Sequence, residues 1–298
     1  MLSKGEKNMN KVAIMTDSNS GISLQQAKEM NCFMLNMPII LNQNTYIENE
    51  NIEVSFFYEQ QEKGANVTSS QPSIASLMNM WEEILKEYDE IVYIPMTSAL
   101  SGSCQSAMSF AQEFDGKVQV VDNHRISVTQ LLSVMDALSM AEKGYGAKEI
   151  KERLEKEAYD ASIYITVDTL KYLQKGGRIT PAVALLGSML HIKPILTIQG
   201  EKLDTCSKAR GMKSAFRIMV EHLKEDFDTR FKEIDEDHEL ALGLAYTYMS
   251  EEDISKWKLK LQEQFPDLPF YSAPLTMSIG CHVGPGALGV ALIVKHKE

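Results

Sequence analysis

Residues 90–114, EIVYIPMTSALSGSCQSAMSFAQEF, contain the pattern that decides the fold. Residues 90–95 form a short apolar run whose length is typical of a buried strand. A segment rich in hydroxyl groups follows at residues 97–103, and the chain then enters a predicted helix that runs to about Phe114. Repetition of this order of strand, loop and helix predicts an α/β fold, because each helix must bury its apolar face against a sheet.

The same alternation continues on both sides of this stretch. Residues 73–88 form a predicted helix, because their apolar side chains recur on one face and Pro72 stands just before the first turn. The other predicted strands are residues 11–15, 118–121, 162–167, 193–198, 202–207, 240–248 and 288–294. The other predicted helices are residues 126–143, 147–158, 180–189, 213–227 and 251–265. Gly200 stands between two of these strands, which predicts an antiparallel hairpin.

The chain has 298 residues, which is enough for two domains that each bury a core of their own. The predicted helix at residues 147–158 is charged and poor in apolar side chains, so we place the domain boundary near its end. The sequence therefore predicts two α/β domains. The N-terminal domain, residues 11–160, is expected to have a parallel sheet, and the C-terminal domain, residues 161–298, a mixed sheet.

The composition is that of a globular protein, with 44% hydrophobic and 24% charged residues. The formal net charge is -11 and there is no basic run, so nucleic acid and anionic membrane surfaces are poor candidate partners. Residues 1–10 lack the apolar core of a signal peptide, and no apolar stretch approaches the ~18 residues needed to span a bilayer. We therefore expect a soluble, cytoplasmic protein.

The sequence offers few of the patterns that mark metal sites or enzymes. The four cysteines are widely spaced and form no CxxC pair, so reduced thiols are expected rather than a zinc site or disulfides. The acidic run around His238, residues 235–239, is predicted to be a solvated loop, because consecutive side chains cannot all face one ion. Residues 284–289 match GxGxxG but run into a strand near the end of the chain, which argues against a dinucleotide site. We expect no metal and no cofactor.

Three clusters of small hydroxyl side chains stand beside predicted strand ends or helix starts, at residues 16–18, 68–73 and 97–103. Ligands of doubly wound sheets bind beyond the carboxyl ends of the strands, where a helix N-terminus also offers free N–H groups to an anion. Each cluster by itself is well explained as a helix cap. Three in one predicted domain are better explained by a shared pocket for a carboxylate or a phosphate.

The second predicted domain offers three side chains that could meet such an anion. Arg178 follows a pair of glycines, Arg210 ends the predicted hairpin, and His282 lies in a predicted glycine-rich loop at residues 280–286. Arginine favours carboxylates because its planar fork can bind both oxygens. A single arginine near a turn is more often a plain surface residue, and a single histidine is usually structural. An anion pocket without an evident nucleophile, base or metal is typical of a binding protein rather than an enzyme.

These residues give the chain a resemblance to a known family. It resembles the DegV family of bacterial proteins from Lys11 to Lys295, and the matching stretches are residues 16–18, 68–73, 97–103, 175–179, 193–196 and 282–289. The resemblance implies two α/β domains with a long-chain fatty acid in the cleft between them. It further implies that the chain acts as the fatty-acid-binding component of bacterial fatty acid kinase, which serves phospholipid metabolism. A separate kinase subunit would phosphorylate the bound carboxylate to an acyl phosphate.

The resemblance also assigns residues to the head group of the lipid. Ser98 would contact the carboxylate, and Ser69 would supply a hydroxyl where the family usually has threonine. Arg178, Arg210 and His282 would surround the carboxylate or face the kinase. The supporting loops contain Thr68, Ser70, Thr97, Ser101 and Gly102. Ser103 and Cys104 also depart from the commoner residues of the family, which bears on the shape of the pocket.

Several alternatives remain open. The apolar residues 182–186 and 189–190 could line a slot for the acyl chain or could be ordinary core. The protein could be a lipid sensor or transport protein without a kinase partner. It could instead resemble the substrate-binding subunit of dihydroxyacetone kinase, in which case His282 would bind a carbonyl substrate covalently. In the kinase-linked reading, ATP and its metal would come from the partner, because this chain shows a site for neither.

Overall fold

The computed structural model describes residues 10–184, 192–198 and 202–297. Strands and helices alternate along the first half of the chain. Its strands are β1 (Val12–Asp17), β2 (Phe33–Leu35), β3 (Pro38–Leu41), β4 (Asn44–Ile47), β5 (Val67–Ser69), β6 (Glu90–Ile94) and β7 (Val118–Val120). Its α-helices are α1 (Leu24–Glu29), α2 (Val54–Glu62), α3 (Ile74–Ile84), α4 (Ser103–Ala111), α5 (Val128–Glu142) and α6 (Ala147–Lys156).

The second half begins with a strand directly after the last of these helices. Its strands are β8 (Ala161–Thr166), β9 (Ile192–Ile198), β10 (Asp204–Arg210), β11 (His238–Tyr246), β12 (Phe270–Pro274) and β13 (Leu288–His296). Its α-helices are α7 (Lys171–Gly176), α8 (Pro181–Ala184), α9 (Gly211–Asp228), α10 (Glu251–Gln262) and α11 (Met277–Val283).

The strands form three sheets. The first has the order β2-β1-β6-β7, and all of its neighbouring strands are parallel. A small antiparallel sheet has the order β4-β3-β5. The third has the order β10-β9-β8-β13-β11-β12, and all of its pairs are antiparallel except β11 with β12. The predicted class is confirmed: an α/β protein with a parallel sheet in its first half and a mixed sheet in its second.

Helix α5 connects the cores of the two halves. Leu131 and Val134 pack in the core of the parallel sheet. Val128 and Leu132, on another side of the same helix, pack in the core of the six-stranded sheet. A helix that is apolar around most of its circumference must be covered on more than one side. Both halves therefore cover α5, and the chain segment Ile126–Thr129 at its start lies where they meet.

Several predicted elements are confirmed with small changes in their ends. Strands β9 and β10 pair antiparallel, as the predicted hairpin requires, although Gly200 lies outside the described residues. The predicted helix at residues 180–189 is described only as α8, and the rest of it also lies outside. The placement of the domain boundary at residue 160 stays a prediction.

The prediction of a glycine-rich loop around His282 is wrong, because α11 occupies Met277–Val283. Gly280 stands inside this helix for a reason of packing. A Cβ atom there would lie 2.3 Å from the hydroxyl oxygen of Tyr58, so a larger residue would push the helix away. Strands β2, β3, β4, β5 and β12 were also missed, and each is only three to five residues long.

Among the helices that the structure describes, none has both the length and the apolar character that crossing a bilayer requires.

Candidate functional site

A cavity of about 260 Å³ lies between the two halves of the chain. One part of its wall is polar and consists of Ser69, Ser70, Gln71, Ser101, Gly102, Arg178 and His282. The opposing wall includes one apolar face of the six-stranded sheet, where Ile198, Ile163 and Ala291 are neighbours across three strands. Apolar side chains of α7 and α11 complete it, among them Leu173, Ile279 and Val283. The site therefore suits a ligand with one polar end and a long apolar body.

Ser69 and His282 meet at the polar wall, although 213 residues separate them in the chain. The Ser69 hydroxyl lies 3.0 Å from Nε2 of His282, and which atom donates depends on the tautomer of the ring. Ser69 ends strand β5, and His282 occupies the last turn of α11. Burial lowers the pKa of His282 to about 4, and the positive charge of Arg178 is the second, smaller cause. At neutral pH the ring is uncharged, so it can donate or accept one hydrogen bond at Nε2.

Helix α7 approaches the other side of the His282 ring. A Cβ atom at Gly176 would lie 2.3 Å from Nδ1 of His282, so only glycine allows this contact. Gly177 then ends α7 with φ +67, a conformation that glycine adopts without strain. The pair of glycines thus lets the backbone turn tightly beside the histidine and brings Arg178 to the same wall.

Arg178 bridges the two halves at the polar wall. Its Nε donates to the backbone oxygen of Leu100 at 3.2 Å, and its Nη1 donates to the backbone oxygen of Gly176. Within the described residues, Nη2 has no hydrogen-bond partner. The half-buried guanidinium is held in place by two bonds and keeps donors for a bound anion.

Only some residues of the hydroxyl clusters at 68–73 and 97–103 line the cavity that the structure describes. Ser101 accepts the backbone N–H of Ser103 at 3.2 Å and lies 2.9 Å from its hydroxyl, so it also helps to begin α4. Ser70 donates to the backbone oxygen of Gln71. Ser73 lies outside the lining that the structure describes and caps α3 by accepting the N–H of Ser76. Capping and pocket lining are therefore divided among the residues of each cluster.

Four of the predicted site residues lie away from the cavity lining within the described part of the chain. Ser98 is half-buried and its backbone N–H donates to the carboxylate of Asp122 at 3.1 Å. Thr97 is buried, and its hydroxyl accepts the N–H of Ala99. Thr68 is exposed on β5, and Arg210 is exposed at the end of β10. The structure brings together Ser69, Ser70, Ser101, Gly102, Arg178 and His282, but not these four.

The first hydroxyl cluster, residues 16–18, ties strand ends together inside the first half. The Thr16 hydroxyl donates to the backbone oxygen of Ile94 at 2.7 Å. The Asp17 carboxylate accepts the N–H of Met96 and the side-chain amide of Gln130. Burial raises the pKa of Asp17 above its ordinary value, and these hydrogen bonds oppose that rise. This cluster therefore positions the loop before α4, and its role is structural.

Asn19 is a site residue that the sequence analysis missed. It lines the cavity and is fully buried, and its Oδ1 accepts the hydroxyl of Ser278 at 2.6 Å. Its Nδ2 finds no partner among the described residues. The buried hydroxyl of Ser127, which also lines the cavity, is likewise unpartnered there. Asn19 stands directly after the Thr16–Ser18 run, so its place past a strand end was the signal that could have found it.

Glu48 anchors the start of α11. Its carboxylate accepts the backbone N–H of Ser278 and the hydroxyl of Ser18, so it joins the second half to the first. Burial raises the pKa of Glu48 from 4.5 to about 7, and the hydrogen bonds from the two serines lower it. The helix that carries His282 is therefore held by a carboxyl group whose charge changes near neutral pH.

A family model described as "Uncharacterised protein, DegV family" matches residues 11–295. The chain belongs to the DegV family. A DegV domain-containing protein of Deinococcus radiodurans is 30% identical over 283 residues, which are 94% of this chain and 98% of that protein. The resemblance noted from the sequence is thus confirmed over nearly the whole chain.

Two solved DegV structures are similar to this one throughout. The DegV protein of Bacillus subtilis, described as a fatty acid binding protein, is 28% identical and has a TM-score of 0.81, covering 96% of this chain and 100% of that one. A DegV family protein of Thermus thermophilus, whose structure is described by its fatty acid binding, is 26% identical with a TM-score of 0.83, covering 95% and 99%. These descriptions are of binding proteins, and they agree with the prediction of a binding protein rather than an enzyme.

The apolar lining of the cavity differs from the slot that the sequence suggested. Of the residues 182–186 and 189–190 that the sequence offered as a slot, Val183 packs in the core of the six-stranded sheet. Residues 185–191 lie outside the described part of the chain. The described apolar wall comes mainly from the six-stranded sheet, α7 and α11 instead, together with Ile126 and Val128 at the start of α5.

Proposed function

We propose that this protein binds one long-chain fatty acid in the cavity between its halves. The observation that carries the proposal is the division of the cavity into a polar wall with a fixed arginine and a remainder that is mainly apolar. The carboxylate lies against Ser69, Arg178 and His282, and the acyl chain runs over the sheet face that contains Ile163 and Ala291. The fatty-acid-binding DegV relatives support the same ligand.

The carboxylate needs several donors to leave water, because a buried charge without hydrogen bonds is strongly unfavourable. Arg178 supplies charge and the free N–H groups of Nη2, and Ser69 supplies a hydroxyl. In the matching tautomer His282 donates from Nε2 to the Ser69 oxygen, which leaves the Ser69 proton free for the carboxylate. Each buried methylene of the acyl chain contributes ~0.8 kcal/mol, from which ordering and association costs are subtracted. The apolar body thus supplies the affinity, and the polar wall sets the orientation.

We further propose that a separate kinase subunit phosphorylates the bound carboxylate in phospholipid metabolism. A carboxylate oxygen attacks the γ-phosphorus of ATP, the bond from that phosphorus to the ADP oxygen breaks, and the products are an acyl phosphate and ADP. The partner brings ATP and its metal. Arg210 is exposed and stands outside the cavity lining that the structure describes, so we assign it to the partner-facing surface.

The test measures bound lipid by native mass spectrometry after purification from a bacterial host, followed by titration of the delipidated protein with oleate and palmitate. The variant Arg178→Gln should weaken fatty acid binding at least about tenfold, since a hydrogen bond to a charged group is worth about 1.5–3 kcal/mol. Arg210→Gln, at an exposed arginine away from the cavity, is the matched control and should bind as the wild type does. A wild-type protein that carries no lipid and takes up neither acid would refute the proposal.

The kinase step needs its own assay. The lipid-loaded protein is mixed with a cognate kinase subunit and ATP, and acyl phosphate is trapped with hydroxylamine as the hydroxamate. Hydroxamate formation that requires both proteins supports the carrier role. Lipid binding without any acyl phosphate would favour a sensor or transport role, and an adduct of His282 with dihydroxyacetone would favour the carbonyl-binding alternative.

A further inference from the structure

A second cluster of chemically active side chains lies outside the described lining of the cavity. Glu157 follows α6 at the end of the first half, His238 begins β11, and His296 ends β13. His238 and His296 are paired directly across the two antiparallel strands. One ligand atom from each of the three residues lies within 4.8 Å of the others.

The carboxylate of Glu157 stands between the two imidazole rings. One of its oxygens lies 3.1 Å from Nε2 of His296, and the other lies 3.5 Å from Nε2 of His238. The ring centroids of the two histidines are 4.3 Å apart. The three side chains are between 13% and 16% exposed, so the group is sheltered but can be reached from solvent. The two nitrogens thus converge on the Glu157 carboxylate, each beside a different one of its two oxygens.

The tautomer of His238 leaves a lone pair on Nε2 directed at the Glu157 carboxylate. Nδ1 of His238 is hydrogen-bonded to the carboxylate of Asp235, which keeps the proton of a neutral ring on Nδ1. Nε2 of that ring is then an acceptor and faces a second acceptor, the Glu157 oxygen. Nε2 is buried and makes no hydrogen bond within the described residues. Two facing acceptors repel unless a cation or a proton lies between them.

The chain folds in a way that the acidic run could not reveal. Residues 235–239 were predicted to be a solvated loop because their side chains cannot all face one ion. Only His238 of that run turns towards Glu157 and His296, while Asp235 orients its ring from behind. Two of the three side chains in the cluster thus come from elsewhere in the sequence. The register of β11 with β13 pairs His238 with His296, and Glu157 approaches them from the end of α6.

We propose that Glu157, His238 and His296 bind one divalent transition-metal cation of the Zn²⁺ type. Imidazole nitrogen and carboxylate oxygen are ligands that zinc accepts at about 2.0–2.2 Å, which places tetrahedral ligands about 3.3 Å apart. The separations of 3.1 and 3.5 Å, each from one histidine nitrogen to the nearer Glu157 oxygen, are close to this spacing. Water takes the fourth position. The carboxylate of Asp235 behind His238 is the outer partner that metal-bound histidines ordinarily have.

The bound cation would join the two halves of the chain, because Glu157 belongs to the first and both histidines to the second. A ligand that binds only the folded chain raises its stability with ligand concentration. The bound ion would therefore cross-link the two halves close to the start of β8, where the chain passes from one half to the other. Mg²⁺ should not substitute, since it prefers six oxygen ligands.

The test uses the full chain, stripped with EDTA, in a Cys206→Ser background that removes an exposed thiol. Calorimetric titration with ZnCl₂ should show one ion bound per chain, and added ZnCl₂ should raise the melting temperature in thermal unfolding. MgCl₂ should do neither. Co²⁺ should produce the visible absorption bands of a four-coordinate site. His238→Gln and His296→Gln should each weaken Zn²⁺ binding at least about 100-fold, and Asp235→Asn should weaken it about 10- to 100-fold.

His222→Gln is the matched control, because His222 is a half-buried histidine on α9 that bonds to Ser207 instead. It should leave Zn²⁺ binding unchanged. Absence of Zn²⁺ binding in the parent protein would overturn the proposal, as would binding that both histidine variants leave within threefold. The Co²⁺ spectrum of each variant, recorded with its circular dichroism, separates loss of the site from loss of the fold.

Discussion

Replacement of Glu48 by glutamine should change how the stability of the protein depends on pH. Glu48 is buried, its carboxylate joins Ser18 to the start of α11, and its pKa rises from 4.5 to about 7 because of burial. An acid whose pKa is higher in the folded chain favours folding when it is protonated. Its stabilising contribution is therefore complete below pH 4.5 and is lost as the pH rises through about 7.

The magnitude follows from these two pKa values. By linkage, ionisation of Glu48 lowers the free energy of unfolding by about 0.8 kcal/mol at pH 5 and by about 3.3 kcal/mol at pH 8, relative to a chain in which this group never ionises. Glutamine is such a group: its amide oxygen can accept the Ser278 N–H, and its amide N–H can donate to the Ser18 hydroxyl, which reverses that bond. The free energy of unfolding of Glu48→Gln relative to the wild type should therefore rise by about 2.5 kcal/mol between pH 5 and pH 8.

The assay is urea unfolding at both pH values, followed by far-ultraviolet circular dichroism and by the fluorescence of the two tryptophans. Trp81 and Trp257 lie in the cores of different halves, so they report separately on each. Glu50→Gln, at an exposed glutamate two positions further on, is the control and should follow the wild type. If the curves of stability against pH for Glu48→Gln and the wild type are parallel, burial of Glu48 does not control this titration and the reasoning is refuted.

Three further predictions concern the cavity and the core. Ala291→Phe adds a ring to the apolar wall and should reduce bound fatty acid at least about tenfold in native mass spectrometry, with circular dichroism as the check that the variant folds; undiminished lipid would mean that the acyl chain lies elsewhere. Gly280→Ala should lower the free energy of unfolding by about 1–3 kcal/mol in urea, because its Cβ would lie 2.3 Å from the Tyr58 hydroxyl; an unchanged midpoint would contradict this close packing. Trp81→Ala should remove about 3–5 kcal/mol, since the ring is fully buried, and a loss below 1 kcal/mol would be inconsistent with that burial.

Part of the polar wall could be predicted from the sequence because short-range patterns mark it. Ser69, Ser101 and Gly102 lie in hydroxyl-rich segments, and Arg178 follows two glycines that allow a tight turn. The contact between Ser69 and His282 could not be predicted in the same way, since it spans 213 residues and depends on how α11 packs. Asn19 was missed because its role comes from the side chain of Ser278, which lies in the other half.

The sequence by itself determined the class of the fold, since the alternation of apolar runs with amphipathic stretches requires helices packed on sheets. It also determined that the first sheet is parallel and that β9 and β10 form a hairpin, because connection length and turn residues are local properties. Only the tertiary structure decided that His238 and His296 meet Glu157, and that α11 replaces a loop at residues 280–283. Those outcomes depend on strand register and on close packing between distant segments, and neither is written in any local stretch of residues.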